Sequence, residues 1–112
     1  MYQVTAVYMD SEIGYGEGMS LEYAKQECLE SVDSFYDQVM DQIEFIIANM
    51  ILKISVKAGY TTSLEVSVKW SRKENAWHFR SGLGDGFLYD LPKSATTEQL
   101  VGRLTRAYAD IS

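Results

Sequence analysis

Five carboxylates, Glu30, Asp33, Asp37, Asp41 and Glu44, recur at steps of three and four residues, the spacing that gathers side chains on one face of an α-helix. Carboxylates one helical turn apart advance by about 5.4 Å, near the spacing of phosphates along a nucleic-acid strand. The chemistry of such a row is recognition rather than turnover: fixed negative charge laid against a basic surface.

Other reactive residues lack the partners that catalysis needs. His78 is the only histidine and Cys28 the only cysteine. His78 alternates outward on a strand, and Cys28 falls on an apolar helical stripe, where a small thiol packs and stays inert. No serine stands in an elbow motif, and no Cys/His cluster has zinc spacing. Sixteen acids make some close carboxylate pair inevitable, so a pair alone does not argue for hydrolysis. Asp10, Glu12 and Glu17 carry the oxygen ligands a hard cation takes, but at a spacing that matches no calcium loop. Gly14, Gly16 and Gly18 precede a helix without the Lys-Ser or Lys-Thr pair of a phosphate loop, and the neighbouring acids repel anions. Gly82, Gly84 and Gly86 lead into Phe87–Leu91, which reads as a strand, whereas a dinucleotide turn must open a helix. The expectation is a chain with no catalytic residues, no metal and no cofactor.

Charge is distributed unevenly. Residues 1–50 carry ten acids against Lys25 alone, a net −9, whereas residues 51–112 carry nine bases against six acids, a net +3. A field of this shape repels nucleic acid from the first half and attracts basic surfaces. With 112 residues, 46% of them apolar, the chain suits a single α+β domain, residues 1–112, with one core. The longest apolar run, Phe45–Leu52, is interrupted by Asn49 and too short to span a bilayer. No secretory segment opens the sequence, and one cysteine suits a reducing compartment. Cytoplasmic placement follows as an expectation, in the host cytoplasm if the protein is viral.

The elements that position the carboxylates follow from periodicity. Leu21, Ala24, Cys28, Val32, Phe35, Val39, Ile43, Ile46 and Met50 keep helical phase, so the spacing predicts one continuous helix from Ser20 to Met50, capped by Ser20. Its weak point is Ser31–Ser34, where Ser34 and Asp37 offer a fresh capping box. Met1–Met9 reads as a central strand, Asp10–Gly18 as a loop. Ile51–Lys57 and Leu64–Trp70 alternate as a hairpin, Trp77 and Phe79 continue the inward face on a third strand, and Thr96 with Gln99 caps a short second helix bearing Leu100 and Leu104. Trp70 and Trp77 are expected to be buried across neighbouring strands.

The predicted fold is an α+β two-layer sandwich: an antiparallel sheet of four to five strands with one long and one short helix on one face, in the order β-α-β-β-β-β-α. The order helix, three strands, helix is similar to that of double-stranded-RNA-binding domains. The second helix lacks their lysine cluster and the first is acidic, so direct nucleic-acid binding is not expected. The predicted function is that of a small acidic, non-enzymatic inhibitor whose helix face imitates nucleic acid. Viral and mobile-element proteins use this strategy against nucleases and CRISPR-type defences. The expected partner is a protein with a basic, nucleic-acid-binding surface, with no membrane contact and room for a homodimer. The alternative is a structural or homo-oligomeric module of a larger assembly.

Overall fold

The structure, a computed structural model, describes the backbone of residues 1–35, 40–58, 61–78 and 94–111, and the side chains of residues 1–34, 44–57, 64–78 and 94–107. Six strands, β1 (Tyr2–Tyr8), β2 (Ser11–Gly18), β3 (Ile51–Ala58), β4 (Thr61–Ser71), β5 (Ala76–His78) and β6 (Ser94–Ala95), form one sheet in the order β2-β1-β3-β4-β5-β6. Every pairing is antiparallel. Helices α1 (Leu21–Phe35), α2 (Met40–Asn49) and α3 (Thr97–Ile111) complete the α+β fold.

Alternation sets the register. Tyr2, Val56 and Leu64 lie side by side across three strands, as do Val4, Ile54 and Val66, and then Ala6, Leu52 and Val68. These rows form the inner face, where Val4, Ala6, Leu52, Ile54, Val66 and Val68 are buried, while Val56 and Leu64 are half-buried at its end. From the helices come Leu21, Ala24, Cys28, Leu29 and Val32 of α1, Ile46 and Ile47 of α2, and Leu100 and Leu104 of α3, all within the same core. Leu29 and Ile47 widen the stripe read from the sequence, and Phe79 lies outside the described residues. Burial pushes the Cys28 thiol up to about 12, against a smaller opposing effect of its hydrogen bond with the Ala6 backbone.

The first correction concerns Asp10–Gly18. The loop expected there is strand β2, so the sheet has six strands rather than four or five, and β1 is central because β2 covers its outer edge. The connection is the two-residue turn Met9-Asp10, whose φ angles of 50° and 64° are both positive, the conformation that matches hairpin twist. A bulge beside Ala6 and Val7 leaves Ile13 without a facing residue, and Ile13 joins the core. Gly14 and Gly16 are there for closeness. A Cβ on Gly16 would lie 2.5 Å from the Cys28 backbone nitrogen and closer still to the Ala24 carbonyl, and one on Gly14 would strike Val32. Helix α1 thus rests directly on strand backbone.

The second finding concerns the long helix. Its two ends are helical, as α1 and α2, and residues 36–39 between them lie outside the described residues. The expected continuity therefore falls on positions of which nothing is described. Ser20 caps α1 by accepting a hydrogen bond from the Tyr23 N–H at 3.1 Å, and the Met50 N–H closes α2 on the Ile46 carbonyl at 2.8 Å. The capping box of α3 forms in both directions: the Thr96 N–H donates to Gln99 Oε1 at 2.9 Å, and the Gln99 N–H to Thr96 Oγ1 at 3.2 Å. The expected short helix is α3, 15 residues long.

Trp70 and Trp77 face one another across β4 and β5, ring centroids 5.0 Å apart at 61°. Both are buried. The Trp77 indole N–H donates to Thr97 Oγ1 at 3.0 Å, and the Thr97 hydroxyl donates to Glu22 at 3.2 Å. Glu22 holds Lys25 at 2.8 Å, and the Lys25 ammonium stands 3.6 Å above the centre of Trp70. One polar chain thus ties α1, α3 and two strands together around an aromatic pair.

Candidate protein-binding surface

The five carboxylates of the predicted site fall in different environments. Glu30 is exposed on α1. Asp33 and Glu44 both turn to Arg72, in the turn after β4: Arg72 Nη2 reaches the two Asp33 oxygens at 2.9 and 3.1 Å, and Nη1 reaches Glu44 at 3.4 Å. Asp37 lies outside the described residues, as does the side chain of Asp41 in α2. Arg72 therefore links α1 to α2 and offsets part of the stripe's charge, a connection between residues 28 and 39 positions apart that spacing does not reveal. Exposed pairs of this kind contribute about 0–1 kcal/mol each.

The first half remains acidic at its surface for a different reason. Lys25, its only basic side chain, is 3% exposed and turned into the core. Asp10, Glu12, Glu17, Glu22, Glu30, Asp33 and Glu44 are exposed, and Glu27 is half-buried. No lysine or arginine of residues 1–50 shares that surface with them.

A second group was not singled out from the sequence. Because α1 lies so close on β2, side chains of α1 rest against the backbone of β2. The Tyr15 N–H donates to Ser31 Oγ at 3.4 Å, and the Tyr15 hydroxyl donates to Glu17 at 2.9 Å. Partial burial, the hydrogen bond to Glu17 and the charges of Glu17 and Glu27 together hold the Tyr15 phenol above its ordinary range. The Glu27 Cβ packs over Gly16, and the Tyr23 ring over Gly18. Glycines at alternate positions were the available signal: period two marks a strand face as surely when the repeated residue is glycine.

Two clefts flank Arg72. The larger, about 400 Å³, lies between α2 and the end of β4, with Glu44, Ile47, Trp70, Arg72 and His78 in its walls. His78 Nε2 also faces Glu74 of the turn after β4. In the smaller, about 210 Å³, Glu22 faces Lys25 and Asp33 faces Arg72, so these carboxylates are already matched by cations. Among the described residues no three His, Cys, Asp or Glu side chains are grouped to hold a metal ion, and no helix is long and apolar enough to cross a membrane. No protein-family model, curated protein or solved structure matches the chain.

Proposed function

We propose that this chain is a small acidic, non-enzymatic inhibitor that occupies the basic, nucleic-acid-binding surface of another protein, in the manner of viral and mobile-element proteins acting against nucleases. The observation that carries the reading is the inward turn of Lys25, which leaves the surface of residues 1–50 with acids and no basic side chain. A surface charged with one sign accelerates encounter with the opposite sign and rejects nucleic acid. Glu30, Asp33, Asp37, Asp41 and Glu44 are the phosphate-like row of this proposal; among the members whose side chains are described, Glu30 is exposed and Asp33 and Glu44 hold Arg72.

The test is the triple variant Asp33→Asn, Asp37→Asn, Asp41→Asn. It should bind the partner more slowly and more weakly while melting within a few degrees of the parent, because exposed substitutions change stability by about 0.5 kcal/mol or less. Equal binding at low salt would remove the mimicry. A homo-oligomeric module is the second reading, favoured by the sheet face opposite the helices, which no described helix covers; sedimentation at several concentrations separates the two.

A further inference from the structure

We propose that the larger cleft, between α2 and the β4–β5 hairpin, binds a small organic anion: a phosphate or carboxylate joined to an apolar group. Lys69, Arg72 and Lys73 hold the anionic end, and Ile47 and Ala48 take the apolar end. The site goes beyond the acidic-inhibitor reading and does not depend on it.

The cleft follows from the sheet. The pairing of β3 with β4 starts at Leu52 and Val68, so beyond Val68 the stretch Lys69–Ser71 pairs with β5 alone. Helix α2 runs into β3 through Met50 and stands beside this stretch, with Glu44, Ile47 and Ala48 in the facing wall. A neighbouring strand would seat at about 4.8 Å, but a helix about 10–12 Å across cannot come so close. The gap that remains is about 400 Å³, within the range of roughly 300–1,000 Å³ for small-molecule sites.

Charge selects the ligand. Lys69, Arg72 and Lys73 line the cleft against one acid, Glu44, in a chain of net charge −6. His78, also in the wall, is turned to Glu74. Arg72 is held firmly by Asp33 but meets Glu44 only at 3.4 Å. Lys73 is exposed and joined to no carboxylate among the described residues. An anion entering here meets surplus positive charge and displaces at most the long contact to Glu44. The smaller cleft offers no such surplus, since Lys25 and Arg72 are matched there by Glu22 and Asp33. Arginine and lysine give charge-assisted hydrogen bonds to phosphate and carboxylate oxygens alike.

The apolar end is set by α2. Ile47 and Ala48 supply the aliphatic wall, and the lysine stems extend it. Trp70 is 6% exposed, so it offers a rim rather than a stacking face, which suits a compact group.

The test uses the full chain with phenyl phosphate, benzoate and inorganic phosphate as probes and benzyl alcohol as the uncharged control, read by tryptophan fluorescence and amide chemical-shift mapping. The better of the two aromatic anions should bind about tenfold more tightly than inorganic phosphate, shifting Glu44–Ala48 and Lys69–Lys73, while benzyl alcohol shifts neither. Tighter binding of phenyl phosphate assigns a phosphate ligand, and of benzoate a carboxylate. Lys69→Gln with Lys73→Gln should weaken binding by about tenfold, and Lys73→Gln alone, in the exposed turn, by about threefold. Lys53→Gln with Lys57→Gln, the same change in charge elsewhere on the sheet, should leave it within about twofold. Ala48→Phe, at an exposed helix position that fills the cleft, should remove the preference for the aromatic anion. Melting curves confirm that each variant folds. The proposal is overturned if inorganic phosphate binds as tightly as both aromatic anions, if the Lys53/Lys57 pair weakens binding as much as the Lys69/Lys73 pair, or if no probe binds at millimolar concentration.

Discussion

Gly16→Ala is the most informative single change for the fold. The added Cβ would sit 2.5 Å from the Cys28 nitrogen, where ordinary contact begins at 3.4 Å, and nearer still to the Ala24 carbonyl. Both obstacles are helix backbone, which has no rotamer to change. Helix α1 must lift by roughly 1 Å, loosening Leu21, Ala24, Cys28 and Val32 where they meet the sheet, and overpacking of this kind costs about 1–3 kcal/mol. Against this, alanine restricts the unfolded chain and returns about 0.4–1 kcal/mol. The obstacle is rigid and the helix central, so we expect the upper part of the range, a net loss of about 2 kcal/mol, out of the 5–15 kcal/mol typical of a domain. Guanidinium denaturation followed by the fluorescence of Trp70 and Trp77 measures it. A Gly16→Ala protein as stable as the parent would refute the close approach of α1 to β2.

Four further outcomes follow from the same structure. Gly102→Ala, on an exposed position of α3 where a Cβ meets nothing within 4 Å, should raise stability by about 0.5–1 kcal/mol in the same assay. Replacing Met9-Asp10 by Asn-Gly suits the two positive φ angles and should raise the melting temperature by a few degrees, about 1 kcal/mol; a fall would contradict the turn. Trp77→Ala, at a fully buried position, should cost about 3–5 kcal/mol and lower the denaturation midpoint accordingly. Cys28, with a folded value of about 12 against an ordinary 9.0, stabilises the fold fully below pH 9, and that contribution is lost as pH rises through 9 to 12, because the unfolded thiol ionises first. Cys28→Ala should flatten the stability profile over that window.

Much of this fold was legible because side-chain period and burial agree. The inner rows through Val4, Ile54 and Val66, the tryptophan pair and the caps at Ser20 and Thr96 all follow from alternation, aromatic content and hydroxyl placement. Strand β2 was not legible, since its turn is Met-Asp rather than Asn-Gly and its helix-facing residues are glycines, which carry no hydrophobic signal. Lys25 entered the sequence reading only as the lone base among ten acids; its burial, with Glu22 and the face of Trp70 satisfying its charge, comes from the tertiary fold. Arg72 reaches Asp33 and Glu44 only through the tertiary fold. The acidic character of the first half was visible in composition. Which acids stay unmatched depends on where Lys25 and Arg72 go.

The central claim is that the acidic side of the molecule takes the place of nucleic acid on another protein. Affinity purification of the tagged chain from its native host, with the retained protein identified and then challenged with duplex DNA, tests it most directly. The account predicts a nucleic-acid-binding protein that DNA displaces, and whose retention falls steeply as salt rises above physiological strength, where screening acts over about 8 Å. A retained protein that neither DNA nor salt displaces, or retention of nothing but further copies of this chain, would contradict it.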